Sequence, residues 1–207
     1  MIMNEEKDYL VVIENSNIYY KKAEDNRNVD SPYYNIFMDA DRIANRLGTE
    51  CPYIAIMDNP ISIRGDQDSS QFSAFTFHME DYPDILDNSL VLFYPMPEKE
   101  NDARIEYNTD NPIHYGDLVH EIRHIRQKKE GGFNISSYAE SNKKSLFNFW
   151  EIDADAYAVV FVSDKFDMSI PNAAKRYLND LYLKNKKAYD ERLNSAIRLK
   201  RKLIPEE

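Results

Sequence analysis

A chain of 207 residues, 43% of them hydrophobic, can bury one sizeable core, and it reads as a single domain over residues 1–207. The net charge of −10 lacks the basic footprint of a general nucleic-acid binder. No stretch approaches the ~20 apolar residues of a membrane helix, so neither nucleic acid nor a membrane is an expected partner.

Taken in order, Met1 to Asp8 shows no basic region followed by an apolar run, so no secretory leader is expected. The single cysteine, Cys51, excludes an internal disulfide framework and fits a reducing cytoplasm; it reads as small core filler at the start of a strand. Residues 1–30 form a variable segment in which Tyr9–Ile13 and Ile18–Tyr20, separated by a polar turn, suggest a weak hairpin. Ser31-Pro32 opens a helix with Ile36, Ala40, Ile43 and Leu47 on one face, and Gly48 stops it. Three strands are expected next: Pro52–Met57, the alternating run Ser73–Met79, and the continuous apolar run Leu90–Tyr94. Residues 98–111 are polar and charged and read as a surface loop.

Asn111-Pro112 then starts a helix and Gly131-Gly132 ends it. Within it Leu118, Ile122 and Ile125 form an apolar stripe opposite His120 and His124. The two histidines are one turn apart on one face, a spacing at which two imidazoles grip one Zn²⁺. Glu121 points about 100° round the helix, where it can act as general base on a water acidified by the metal. This is the H-E-x-x-H arrangement.

A catalytic zinc site needs a third protein ligand. The candidates lie on a second helix expected from Lys144 to Val162, apolar on nearly every side and therefore buried. Relative to Glu151, Asp155 falls about 40° away and Asp153 about 200° away. Glu151 is the expected ligand, and Asp155, on the same face, the acceptor for the distal N–H of a ligand histidine. Asp155 is the alternative ligand. Ala154 and Ala158 flank that face and allow a close approach to the metal helix. A further helix, opened by Pro171 and broken near Asn185, runs to Leu203. Residues 170–207 make a basic helical extension, and Lys and Arg outnumber Asp and Glu by five over residues 173–207.

His120-Glu121-x-x-His124 followed by Glu151-x-Asp153-Ala154-Asp155-x-Tyr157-Ala158 resembles the ImmA/IrrE-type metallopeptidases over about residues 32–165. The resemblance implies an α+β, zincin-like domain: an N-terminal helix, a small, mostly antiparallel three-stranded sheet, the metal helix and a Glu-bearing helix. It implies a zinc-dependent peptidase acting on a protein or peptide, often a repressor, with His120, His124 and Glu151 as ligands and Glu121 as base. Arg123, where the family usually has Gly, and Gln127, where it is commonly apolar, depart from the pattern. Two other readings are weighed. A zinc-binding interaction module without turnover has no need of Glu121 beside the metal. A di-iron bundle needs a second E-x-x-H, which the chain lacks. For the oxyanion donor, His78, His114, Arg123 and Tyr138 are all candidates and none is assigned.

Overall fold

The computed structural model describes residues 9–13, 16–22, 34–50, 52–57, 62–63, 67–68, 74–77, 90–93, 107–130 and 147–203. The chain clusters into two compact units, Met1–Arg42 with Cys51–Tyr107, and Ile43–Glu50 with Asn108–Glu207. Each is described by itself.

The first unit holds β1 (Tyr9–Ile13), β2 (Ser16–Lys22), β3 (Tyr53–Met57), β4 (Ser62–Ile63), β5 (Gln67–Asp68), β6 (Ala74–Phe77) and β7 (Leu90–Phe93). Five of these form one sheet in the order β1-β2-β3-β7-β6, and β4 pairs with β5 separately. The β1/β2, β2/β3 and β6/β7 pairs are antiparallel, whereas β3 and β7 run parallel with Tyr53 opposite Leu90. Helix α1 (Tyr34–Leu47) begins in this unit and finishes in the second. Its face of Ile36, Ala40, Ile43 and Ala44 is at most 1% exposed. It ends at Gly48, whose φ of +63° a side chain would resist. The expected Ser31-Pro32 start lies outside the described residues.

The second unit comprises the end of α1 with α2 (Pro112–Lys129), α3 (Phe149–Lys165), α4 (Ile170–Tyr177), α5 (Asn179–Lys184) and α6 (Lys186–Leu203). Asn111 caps α2 by accepting from the Ile113 N–H, and Pro112 fills a first-turn position where no N–H is needed. Asn148 caps α3 in the same way by accepting from the Trp150 N–H. The cap explains why α3 begins at Phe149, later than the expected Lys144. Gly131-Gly132 lies outside the described residues, which carry α2 as far as its C-cap, Glu130. The basic C-terminal segment breaks twice, at Leu178 and at Asn185.

α3 is the centre of this unit and packs against α2, α4 and α6. Ala154, Ala158, Val159, Val160 and Val162 are fully buried, so these positions of α3 are packed on its neighbours. At its C-terminal end Asp164 takes both Arg46 from α1 and Lys200 from α6. No described helix is long and apolar enough to cross a membrane.

The expected fold class is corrected here. Every described element of the unit that carries the H-E-x-x-H helix is helical, and the strands belong to the other unit. The expectation of one α+β, zincin-like arrangement around a mostly antiparallel three-stranded sheet therefore does not hold. The physical reason lies in strand pairing. Alternating hydrophobicity marks a segment as a strand, but its neighbours are set by backbone hydrogen bonds between residues far apart in sequence. Here β2 pairs with β3, which draws the N-terminal hairpin into the sheet, and the β3/β7 pairing makes the sheet mixed.

α2 meets α4 through a missing side chain. A Cβ on Gly116 would stand 2.4 Å from Cδ2 and 2.5 Å from Cε2 of Tyr177. Gly116→Ala should therefore destabilise the protein by about 1–3 kcal/mol, the usual cost of overpacking, as read from the urea midpoint at unchanged slope. Unchanged stability would show that the Tyr177 ring does not rest on α2.

Candidate metal centre

α2 is buried nearly all round: Leu118, Val119 and Ile122 are wholly inaccessible, and Glu121, Arg123, His124 and Gln127 are buried with them. Polar side chains in such a setting need partners, and on this helix they find them in two directions.

His120 and His124 converge with Glu151 of α3 on one point. The two Nε2 atoms are 3.0 Å apart, and the Glu151 carboxylate stands 3.2 Å from His120 Nε2 and 3.5 Å from His124 Nε2. Ligand atoms 2.0–2.1 Å from a tetrahedral Zn²⁺ are about 3.3 Å from one another. The two carboxylate contacts are made by different oxygens, Oε2 to His120 and Oε1 to His124, and one ligand atom from each of the three residues lies within 4.8 Å of the others. Two imidazole nitrogens and a carboxylate are a donor set that could hold a metal ion, zinc among them.

The far side of each imidazole is held. His120 Nδ1 meets Asp155 Oδ1 at 2.9 Å, and the other oxygen of Asp155 accepts from Nε of Arg192 on α6. Arg192 lies between Ala188 and Ala196, both wholly buried, so that face of α6 is small enough for the guanidinium to reach α3. His124 Nδ1 meets Gln127 Oε1 at 2.8 Å. The amide of Gln127 is fixed in turn, because its Nε2 donates to the Trp150 carbonyl at 3.0 Å and to Asp153 Oδ2 at 2.8 Å. Asp153 Oδ2 also accepts from Arg123 Nε at 2.7 Å, with the Arg123 guanidinium stacked 4.3 Å over the Tyr157 ring.

These partners decide the tautomers. Asp155 and Gln127 Oε1 are acceptors, so each Nδ1 carries a hydrogen and each Nε2 turns a lone pair towards the other. Two lone pairs 3.0 Å apart repel unless a cation lies between them. Without a metal that cation is a proton. Burial alone would lower the His120 pKa, but Asp155 and Glu151 outweigh it and hold the imidazole well above its ordinary value.

Glu121 is buried at the next position round α2, outside the convergent trio. His114 is a structural histidine: its Nδ1 accepts from the Asn108 N–H at 3.0 Å, and burial lowers its pKa, so it stays neutral and pins the chain entering α2. Arg123 is committed to Asp153 and Glu130. His78 and Tyr138 lie outside the described residues.

Gln127 and Arg192 were not anticipated as supports of the histidines. The helix spacing carried a signal for both. Gln127 follows His124 by three, and Arg192 sits four residues from an alanine on each side, on a face otherwise built for close packing. Asp153 points away from the metal side, as the helix phase requires, yet serves His124 indirectly through Gln127.

Compared with protein-family models, with curated proteins and with solved structures, the chain matches none.

Two outcomes follow from the paired supports. Gln127→Leu and Asp155→Asn should each weaken zinc binding by about 10–100-fold in competition with a chromophoric chelator; wild-type affinity in both would mean that neither residue orients a ligand. The second outcome concerns protons. In metal-free protein the raised His120 pKa contributes stability that is complete below the ordinary imidazole value of ~6.5 and lost as pH rises through the higher folded value. Zinc must displace the same proton, so its affinity should climb with pH over that window. Calorimetry at pH 7 in buffers of differing ionisation enthalpy should give about one proton released per zinc, and none released would contradict the shared-proton arrangement.

Proposed function

We propose that the protein is a zinc-dependent peptidase, with His120, His124 and Glu151 as metal ligands and Glu121 as general base. The observation that carries this reading is the convergence of the His120 and His124 Nε2 atoms with the Glu151 carboxylate, with a buried glutamate on the residue after the first histidine. The likeness of the helix pair to ImmA/IrrE-type metallopeptidases points the same way, as does the departure of Gln127, which puts a hydrogen-bond acceptor behind a ligand.

Bound at the trio, zinc would lower the pKa of a water to ~7 and polarise a carbonyl. The chain's own residues supply the rest. His120 and His124, held by Asp155 and Gln127, keep their Nε2 lone pairs aimed at one point without reorganisation. Glu121 accepts a proton from the attacking water as the O–C bond forms. It then delivers that proton to the amide nitrogen as the C–N bond breaks, so atoms and charge balance with Glu121 unchanged. The substrate is a protein or peptide, and a regulatory protein such as a repressor is the class the resemblance favours. A cytoplasmic location accords with the single cysteine.

The test is Glu121→Gln, which preserves size and hydrogen bonding but cannot take the proton. Zinc content should be unchanged, while cleavage of a fluorogenic peptide library should drop by about 10²–10⁴-fold. Equal cleavage by wild type and variant would overturn the peptidase mechanism. Zinc bound with no cleavage by either would leave a metal-binding interaction module instead.

A further inference from the structure

We infer that Tyr177 is a catalytic residue of this site, its phenol hydrogen-bonding the oxyanion that develops on the carbonyl under attack. The inference rests on the peptidase reading above and assigns the donor that this reading leaves open.

The placement comes from α2. Gly116, His120 and His124 follow one another at intervals of four, so all three lie along one stripe of the helix. The Tyr177 ring occupies the space a side chain at Gly116 would fill, with Cγ, Cδ2 and Cε2 all within 3.0 Å of the absent Cβ. The ring therefore rests on the ligand-bearing stripe, one turn before His120. On α4, Tyr177 follows Ala173 and Ala174, both wholly buried, by four and three residues, which sets it on the inward face of that helix.

Its hydroxyl is suited to donate. Tyr177 is half-buried, and among the described residues its phenol oxygen has no hydrogen-bond partner. Burial first, then the charges of Asp117, Asp155, Glu121 and Glu151, raise its pKa well above the usual phenol value. Two of those four are the base and the carboxylate ligand of the proposed site. In that field it remains a neutral O–H across the working range and cannot itself compete as an anionic ligand. A donor already in place when negative charge develops on an oxygen stabilises the transition state more than the ground state. Asn179→Ala, at the exposed start of α5, serves as a neighbouring control.

The experiment uses the full chain loaded with zinc and acetohydroxamate as probe, a small chelating anion whose carbonyl oxygen stands in for the oxyanion. Tyr177→Phe keeps the ring on Gly116 and removes only the hydroxyl; circular dichroism verifies the fold. Zinc affinity of the variant should equal wild type. Acetohydroxamate affinity, by calorimetry, should fall about tenfold, the loss expected for one hydrogen bond to a charged acceptor, and Asn179→Ala should leave it unchanged. Wild-type affinity in Tyr177→Phe, or wild-type protein that holds zinc but takes no hydroxamate, would overturn the assignment while leaving the metal centre intact. Wild-type protein that binds no zinc would overturn the peptidase reading and the assignment with it.

Discussion

The helical unit depends on a conflict held inside it: two imidazole nitrogens 3.0 Å apart, each presenting a lone pair to the other. Nothing in the helix demands this. It follows because Asp155 and Gln127 consume the hydrogens on the opposite ring edges. A cation resolves the conflict. A proton can do so at the level of His120 with Asp155 and Glu151 beside it, and the Glu151 carboxylate beside both Nε2 atoms makes a group that could hold a metal ion in its place.

That arrangement accounts for packing that would otherwise be costly. Arg192 and Arg123 are buried guanidiniums, and a buried charge is tolerated only when paired. Each is paired with a carboxylate on α3, Asp155 and Asp153, and those carboxylates support His120 and His124 respectively, the second through Gln127. The basic C-terminal helix is thus tied to the site through Arg192, and α4 closes on α2 only because Gly116 has no side chain. Three helices of the unit hold the two rings, α2 and α3 directly and α6 through Arg192, while the Arg46–Asp164 pair ties the end of α1 to α3.

The convergence of His120, His124 and Glu151 was legible in part because helix periodicity is a local property. Spacing alone puts His120 and His124 on one face, Glu151 with Asp155 on another, and Asp153 behind it. The supports from elsewhere were not legible. Gln127 read as a departure from an apolar position, and its value emerges only once Asp153 and the Trp150 carbonyl fix its amide. Arg192 and Tyr177 lie in a segment that reads as a basic extension, and their roles require knowing which helix faces which. The sheet was less legible still: β-strand segments could be found by alternation, but their partners, the parallel β3/β7 pair above all, are set by contacts distant in sequence.

The most direct measurement is metal analysis with X-ray absorption on protein purified without added metal. One zinc per chain is expected, in a first shell of two imidazole nitrogens, a carboxylate oxygen and one exchangeable oxygen at about 2.0–2.2 Å, with the metal lost in the His120→Ala/His124→Ala double variant. Protein that folds with no zinc, or a first shell that survives loss of both histidines, would contradict the account.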